Sequence, residues 1–329
     1  MDVFDLPEQI LSRPFTVSEG RLAGLSSHQL QRPELLRPTR GVRILDPPTT
    51  LVERACAMLA GLPEGTMLSH ITAAQLLGIP FPSAADDSRI HVVRPITVSQ
   101  IRRPGLAGHR AFHPRRSVVV SGLPVVAPAD TWVDLGEYVG RGKPMGLDDL
   151  IVAGDAAASL LGTTAPLREA LAARTRPRGK VTLSYALLFM RVGSRSALES
   201  RSRLMIVRAG LPEPKPNVAI ISRRNLFLGL VDLAWEEERV VSEAQSLTFH
   251  GAAEARHKDG VRRQDFETDG WAFVEIWNDD VFDKQRRDAK LVELAAKLRF
   301  PIEKLNLYAA EPQFHAPAQF ARPRRRRAS

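Results

Sequence analysis

The sequence predicts an α/β (α+β) protein with a small helical module, a mixed α/β middle region and a C-terminal mixed sheet flanked by helices. Its 329 residues are enough for two or three domains. Helical segments and short β-branched runs follow one another from residue 49 onwards, and a basic polar stretch at residues 174–180 marks a boundary. We therefore divide the chain into residues 1–48, 49–175, 181–310 and 311–329.

The composition is that of an ordinary globular protein, with 44% hydrophobic and 25% charged residues. Cys56 is the one cysteine, which excludes a disulfide framework and a cysteine zinc site and favours a reducing compartment. No apolar run reaches about 20 residues, so we expect no membrane span. Residues 1–10 carry three acidic side chains and no basic start, unlike a signal peptide. We expect a cytoplasmic protein.

Residues 311–329 are predicted to be a disordered basic tail. Its arginines supply more than half of the net charge of +9; they are Arg322, Arg324, Arg325, Arg326 and Arg327. Such a tail binds polyanions without reading sequence. A purely solubilising role is equally consistent with the pattern.

Residues 1–48 are predicted to form a winged helix-turn-helix. Residues 16–25 have a polar cap and a closing glycine, residues 26–32 follow as a second helix, and residues 36–44 look like a basic two-stranded wing. This arrangement is typical of DNA-reading domains, although a helical hairpin without a nucleic-acid role has the same pattern. The predicted DNA-contacting side chains are Ser27, His28, Gln31, Arg37, Arg40 and Arg43.

The two later regions alternate between helical and strand patterns, with no evident internal repeat. In the middle region we predict helices at residues 51–59, 69–77, 128–135, 148–161 and 166–173 and strands at 90–93 and 118–120. In the C-terminal region we predict two successive helices, of which the second spans 195–209, then strands at 217–221, 226–233 and 239–243, a helix at 252–268, a strand at 272–277 and a helix at 283–298.

The strongest indication of function is a pair of carboxylates on two short apolar runs. Asp232 lies in the first run and Glu243 in the second, and an acidic turn at residues 235–239 separates them. If the runs are neighbouring strands, the two side chains can hold a divalent metal, and Glu199 on the preceding helix could be a third ligand. Aspartate is poorly suited to strand interiors, which favours a functional role. Alternatively, these are ordinary strand-end carboxylates and a helix-forming glutamate.

Residues 196–298 resemble the PD-(D/E)xK nuclease superfamily, most closely the endonuclease-like domains related to very-short-patch-repair enzymes. The resemblance lies in the order of the segments SALESRSRL (196–204), GLPEP (210–214), VDLAW (231–235) and VSEAQ (241–245), followed by Arg262, Phe266 and Gly270-Trp271. It implies a restriction-endonuclease-like fold that hydrolyses DNA with Mg²⁺ (or Mn²⁺), with Asp232, Glu243 and Glu199 as metal ligands.

The chain departs from the pattern of these relatives at one signature position. Gln245 stands where they carry lysine or aspartate, and glutamine has no charge and cannot act as a general base. His250, with His257 second, could accept a proton from the attacking water, and Arg262 could contact a phosphate. A surface histidine and a surface arginine are the alternatives for these residues.

Residues 1–160 resemble the AbiEi-type antitoxin and transcriptional-regulator family. The resemblance rests on the helix-turn-helix region at residues 25–26, on RGV (40–42), on SHITAA (69–74), on GLPV (122–125) and on PADTWVDL (128–135). It implies a winged helix followed by a regulator-like middle domain, and it makes a toxin protein a possible partner. A homodimer is also possible.

Three functions follow as hypotheses. The first is a DNA-binding protein with a metal-dependent endonuclease domain, which Glu199, Asp232 and Glu243 favour. The second is a non-catalytic DNA-binding regulator with a degenerate nuclease fold, which Gln245 favours. The third is a type IV antitoxin-like protein. The eight histidines show no metal-ligand spacing in the sequence, so we predict no histidine metal site.

Overall fold

The computed structural model describes residues 12–245 and 262–316. His250 and His257, most of the helix predicted at residues 252–268, and the arginines of the tail lie outside the described residues. The chain divides into two compact units, one of residues 1–138 with 170–178 and one of residues 139–169 with 179–329. The division differs from the predicted one, because residues 139–169 group with the C-terminal region rather than with the middle region.

The first unit begins with a small module built around a two-stranded sheet. Strand β1 (Phe15–Thr16) pairs antiparallel with β2 (Val42–Arg43). Helix α1 (Val17–Leu22) begins at Thr16, where the threonine hydroxyl and the Glu19 carboxylate form a capping box. The predicted first helix is therefore present. Instead of a wing hairpin, residues 36–44 supply a single bridge, Leu36 to Ile44, and the strand that pairs with β1.

The predicted second helix of this module is wrong. Residues 26–32 contain only a 3₁₀ turn, Gln29–Gln31. Arg32 adopts an extended conformation because the next residue is Pro33, and a residue before proline avoids the helical region. The module thus lacks a full recognition helix among its described residues.

The rest of the first unit is a five-stranded mixed sheet with helices. Its strand order is β5-β4-β3-β7-β6. The helices predicted at 51–59, 69–77 and 128–135 and the strands predicted at 90–93 and 118–120 are confirmed. The elements are α2 (Leu51–Leu59), β3 (Met67–Leu68), α3 (His70–Leu76), β4 (Ile90–Pro95), β5 (Leu106–Ala111), β6 (Ser117–Val120), β7 (Leu123–Val126) and α4 (Pro128–Leu135).

The second unit contains a four-stranded sheet with the order β11-β10-β9-β8. Strands β8, β9 and β10 are antiparallel neighbours, and β11 runs parallel to β10. Helix α6 contains the point in the sequence, after Glu169, at which the chain passes from the second unit to the first. The elements are α5 (Leu147–Leu161), α6 (Ala165–Ala172), α7 (Lys180–Ala186), α8 (Ala197–Arg208), β8 (Lys215–Ile221), β9 (Phe227–Trp235), β10 (Val240–Gln245), α9 (residues 262–268), β11 (Ala272–Trp277), α10 (Asn278–Phe282) and α11 (Lys284–Lys297).

Two hydrophobic clusters cover this sheet. One cluster joins Ile206 of α8 and Leu291 of α11 to Leu233 and Ile276 of the sheet. The other joins Phe266 of α9 to a second set of sheet residues that includes Val241. The predicted mixed sheet flanked by helices is therefore confirmed, and it belongs to the α+β class.

Helix α5 is fixed to α8 by three ion pairs with little solvent exposure. Arg208 contacts Asp148 at 2.6 Å, Arg201 contacts Asp149 at 2.5 Å, and Arg203 contacts Asp155 at 2.8 Å. Asp155 is fully buried and Arg203 is 2% exposed. Because a buried charge without a partner is very costly, these pairs determine how the two helices pack.

No single helix within residues 12–245 and 262–316 is long and apolar enough to cross a membrane. Helices α5 and α6 reach the required length and hydropathy only when they are counted together, and they are bent by 116° relative to each other.

Replacing Asp155 by alanine is expected to lower the free energy of unfolding by about 3–5 kcal/mol, because Arg203 then stays buried without its nearest carboxylate. Chemical denaturation measures the change. The control is Glu236→Ala, which removes an exposed ion pair with Lys215 and should cost no more than about 1 kcal/mol. Equal effects of the two variants would contradict a structural role for the buried pair.

Candidate active site

Asp232 and Glu243 lie on neighbouring antiparallel strands. The pairing of Ser242 with Leu233 places β10 beside β9 at this point, so the two apolar runs are neighbours as expected. The backbone N–H of Ala244 donates to Asp232 Oδ2 at 2.8 Å.

Glu199 lies in the first turn of α8, where the Ser196 hydroxyl caps the helix by accepting from the Glu199 N–H. The Glu199 side chain is buried, and its Oε2 accepts from the backbone N–H of Arg195 at 2.9 Å and from Asn217 Nδ2 at 2.8 Å. Asn217 also donates to the carbonyl of Gly193. The carboxylate is therefore held in one position. The sequence did not point to Asn217, because its role depends on the pairing of distant elements.

Two of the carboxyl groups have raised pKa values. Burial, together with the negative charge of Asp232, raises the pKa of Glu199. Burial also raises the pKa of Asp232, although the hydrogen bond from Ala244 and the positive charge of Arg262 oppose the shift. A buried and a half-buried carboxylate that repel each other in this way are suited to binding a cation.

Arg262 supplies one positive charge to this cluster. Its Nη2 lies 2.5 Å from Glu243 Oε1 and also donates to the carbonyl of Leu230. Gly229 permits this approach, because a Cβ there would lie 2.9 Å from Arg262 Nε and its φ of 154° disfavours other residues. Arg262, the predicted phosphate contact, is thus paired with a predicted metal ligand.

The three carboxylates do not converge on one point in this structure. Within residues 12–245 and 262–316, they do not bring one oxygen each within 4.8 Å of one another. Gln245, two residues after Glu243 on the same strand, places its Nε2 3.4 Å from Glu243 Oε2. The arrangement combines oxygen ligands with an arginine but has no charged group at position 245.

The predicted DNA-contacting residues of the N-terminal module separate into two groups. The exposed ones are Ser27, His28, Gln31, Arg37 and Arg40. The sixth residue, Arg43, is only 9% exposed, and its Nε donates to the carbonyl of Leu30 at 2.6 Å. The guanidinium of Arg43 therefore stabilises the 3₁₀ turn from inside, and its predicted place on the module surface is wrong.

A second cluster of titratable side chains lies in the first unit, and no sequence pattern predicted it. The rings of His70 and His109 stack with centroids 3.5 Å apart, and His91 Nδ1 lies 3.0 Å from His109 Nε2. One ligand atom each from His70, His109 and Glu137 lie within 4.8 Å of one another. The sheet thus brings together histidines that are distant in the sequence and that show no metal-ligand spacing there.

The surroundings of this cluster lower the pKa values of two of its members, His109 and Glu137. Burial, with the neighbouring imidazoles of His70 and His91, lowers the pKa of His109 to about 3. Burial alone would raise the pKa of Glu137, but the His70 imidazole and the Arg178 guanidinium hold it at about 2. His70 also adopts a φ of 50°, a conformation that is strained for a residue with a side chain.

Comparison with known proteins adds relatives but no activity. No protein-family model matches the chain, and no solved structure matches it. Two proteins of Mycobacterium tuberculosis, one from strain CDC 1551 / Oshkosh and one from strain ATCC 25618 / H37Rv, are each 29% identical to this chain. The similarity covers 210 residues, which is 64% of this chain and 73% of each relative. Both relatives are described as uncharacterized proteins.

Replacing Asp232 by asparagine is expected to raise the melting temperature at pH 7 by about 2–4 °C, which corresponds to ~1 kcal/mol in a unit of this size. The pKa of Asp232 is raised in the folded state, so above the ordinary value of 3.8 the folded chain keeps a proton that the unfolded chain has released. The free energy of unfolding of the unsubstituted protein therefore falls as the pH rises through this window.

Thermal unfolding at a series of pH values measures the effect. The gain from Asp232→Asn should shrink as the pH falls below 3.8, where the carboxyl group is neutral in both states. The control is Glu237→Gln, an exposed carboxylate on the turn between β9 and β10, which should change little. A lower melting temperature of Asp232→Asn at pH 7 would show that the carboxylate stabilises the fold.

Proposed function

We propose that the protein binds DNA and that its second unit is a metal-dependent endonuclease domain that hydrolyses DNA phosphodiesters. The observation that carries this proposal is the pair of carboxylates formed by the buried Glu199 and the half-buried Asp232, whose negative charges oppose each other beside Glu243. Such a cluster is stabilised when a divalent cation binds. We also propose a cytoplasmic location, which the single unpaired cysteine, Cys56, supports.

The topology of the second unit supports the same proposal. Helix α8 precedes three antiparallel strands, and α9 leads to β11, which lies parallel to β10. This is the order that the resemblance to PD-(D/E)xK nucleases implies, and Glu199, Asp232 and Glu243 occupy the helix and the two strands that should carry the site. We infer from this agreement that the unit has a restriction-endonuclease-like fold.

The side chains present fit Mg²⁺ or Mn²⁺, because they offer hard oxygen ligands from Glu199, Asp232 and Glu243. When bound, the ion would supply Lewis acidity and an activated water. Asn217 and the Arg195 N–H hold Glu199 in position, and the Gln245 amide can orient a water or a phosphate oxygen. Arg262 can exchange Glu243 for a phosphate oxygen as its partner.

We further propose that the first unit contributes the DNA-binding surface. The stretch from residue 89 to residue 116 contains seven arginines and no acidic residue. Arg103 Nη1 donates to the carbonyl of Arg40 at 3.3 Å, so this basic stretch adjoins the exposed Arg37 and Arg40 of the N-terminal module. Arg89, Arg115 and Arg116 are paired with aspartates. The other arginines can attract phosphates and position the protein on a duplex.

A non-catalytic regulator is the second candidate, and two observations favour it. Gln245 carries no charge, and Arg262 already neutralises Glu243. In this version the second unit is a degenerate nuclease fold that binds DNA, and the protein acts as a transcriptional regulator or as a type IV antitoxin-like protein with a toxin partner. Arg262 would then have a purely structural role, in which its guanidinium neutralises the Glu243 carboxylate.

The purified full-length protein is expected to cleave plasmid DNA only when Mg²⁺ or Mn²⁺ is present. Asp232→Asn should reduce the rate by at least about 100-fold, because it removes a charged ligand from the site. Gel assays with and without EDTA measure the activity, and Glu237→Gln serves as the control. Cleavage that persists in EDTA and in Asp232→Asn would rule out the proposed site, whereas DNA binding without any cleavage would favour the regulator.

The double replacement Arg37→Ala and Arg40→Ala is expected to weaken binding of duplex DNA and to flatten its salt dependence. Each lost phosphate contact should reduce the slope of log K against log salt by about 0.9. Fluorescence anisotropy at several salt concentrations measures the slope. Arg21→Ala, which removes an exposed arginine from α1, is the matched control. An unchanged slope in the double variant would exclude the two arginines from the DNA-binding surface.

A further inference from the structure

The cluster of His70, His109 and Glu137 brings two imidazole nitrogens and a carboxylate oxygen to one point in the first unit. His70 Nε2 and His109 Nδ1 each lie 3.9 Å from Glu137 Oε2, which is too far for a hydrogen bond. His70 is 1% exposed, and its Nε2 is buried with no hydrogen-bond partner among the described residues. A buried imidazole nitrogen facing a carboxylate without a donor between them needs an explanation.

The neighbouring hydrogen bonds indicate which nitrogen atoms carry protons. His91 Nε2 lies 3.0 Å from the Asp87 carboxylate and donates to it, which leaves His91 Nδ1 as an acceptor. His109 Nε2 lies 3.0 Å from that nitrogen and can donate to it, so the lone pair of His109 is on Nδ1. The Tyr138 hydroxyl lies 3.1 Å from the same His91 nitrogen, which has a single lone pair for the two contacts.

His70 is oriented in a similar way. Its Nδ1 lies 3.0 Å from the hydroxyl of Ser69, which can accept a proton from it, and the lone pair is then on Nε2. Metal-binding histidines commonly donate their second N–H to a carboxylate, hydroxyl or similar acceptor, which fixes the ring and its tautomer. The Asp87–His91–His109 chain and the Ser69–His70 contact both have this form.

We propose that His70 Nε2, His109 Nδ1 and the Glu137 carboxylate bind a divalent first-row transition-metal ion such as Zn²⁺. Two imidazoles and one carboxylate, with a fourth position left to water or a ligand, are a donor set that suits Zn²⁺. This site lies in the first unit and shares no residue with the carboxylate cluster of the second unit. It is chemically distinct as well, because imidazole nitrogen is a poor ligand for Mg²⁺.

Binding requires a local rearrangement of the two rings. They are nearly parallel, with an angle of 15° between their planes, whereas a shared ion must lie close to the plane of each ring. The tilt must come from His109, whose side chain is 21% exposed, and it must keep His109 Nε2 within reach of His91 Nδ1. His109 also lines a pocket together with Gln100 and Gly108.

Arg178 competes with the ion for Glu137. Its Nη1 lies 2.8 Å from Glu137 Oε2, and the arginine side chain is 75% exposed. Removing Arg178 should therefore free the carboxylate for metal binding without disturbing the core. This gives a variant in which the proposal predicts tighter binding, an effect that damage to the fold does not produce.

The experiment is a titration of the EDTA-treated full-length protein with Co²⁺, followed by visible absorption and then by displacement with Zn²⁺. One equivalent of Co²⁺ should give the intense bands of a four- or five-coordinate ion. His109→Gln and Glu137→Gln should each weaken binding at least about 10-fold, since each removes one ligand. Arg178→Gln should tighten it about two- to fivefold, the range that an exposed ion pair contributes.

Matched controls separate this site from others. Arg176→Gln removes an exposed arginine two residues away, and His315→Ala removes an exposed histidine; both should bind Co²⁺ as the unsubstituted protein does. Asp232→Asn should also keep the spectrum, because it alters only the second unit. Circular dichroism checks that each variant is folded.

The proposal is overturned if the unsubstituted protein shows no low-coordinate Co²⁺ spectrum. It is also overturned if folded His109→Gln or Glu137→Gln binds Co²⁺ normally, or if Arg178→Gln binds no more tightly than Arg176→Gln. If the ligand variants fail to fold, the comparison of the two arginine variants decides. These outcomes do not depend on DNA cleavage, so they are independent of the proposed nuclease activity.

Discussion

The packing of α5 against α8 through buried aspartate–arginine pairs is the constraint on which the second unit depends. Asp155 and Arg203 are both removed from solvent, so each charge is tolerable only in the presence of the other. Asp148 and Asp149 add contacts to Arg208 and Arg201 along the same helix. Helix α8 therefore cannot rotate or slide without separating charges in a medium of low polarity.

This constraint reaches the carboxylate cluster through Glu199. Glu199 lies on the first turn of α8, and Asn217 of β8 holds its carboxylate from the opposite side. The distance between the helix and the sheet is thereby fixed by polar contacts at one end and by packing around Ile206 at the other. A cluster of repelling carboxylates needs such support, since its own electrostatics would push its members apart.

Arginines neutralise acidic groups in both units, but with different consequences. Arg262 reaches Glu243 over a glycine and is partly enclosed, whereas Arg178 approaches Glu137 from solvent. An enclosed arginine has few alternative partners, while an exposed one exchanges easily with water. Exchange of Arg262 therefore requires a ligand that enters the cluster, such as a phosphate, whereas water alone can replace the contact of Arg178.

The sequence predicted those elements whose signals are local. Helix α4 has proline at its first turn and an apolar face, and it was found with its exact limits. Strand β4 contains three β-branched residues and was found at residues 90–93, two residues short of its end at Pro95. Strand β3 has two residues, and β5 (LAGHRA) has no β-branched residue, so both were missed. Neither element is stable alone; each forms because its neighbours pair with it.

Predictions of the sites followed the same rule. Asp232 and Glu243 were placed correctly on neighbouring strands because a short turn joins those strands. The histidine cluster was not predictable, since His70, His91 and His109 meet only through the pairing of β4 with β5 and the packing of α3. The membership of α5 in the second unit was equally hidden, because its aspartates pair with arginines about fifty residues later.

The register between β9 and β10 restricts how this sequence can change. Leu233 is paired with Ser242, and the next residue of each strand towards the cluster is Asp232 or Glu243. Side chains alternate between the two faces of a sheet, so a single-residue insertion between Val240 and Glu243 would turn Glu243 to the opposite face. The turn at residues 235–239 can change length without moving Glu243 to the opposite face of the sheet. Insertions and deletions among descendants of this sequence should therefore be found in the turn and be absent from the strand.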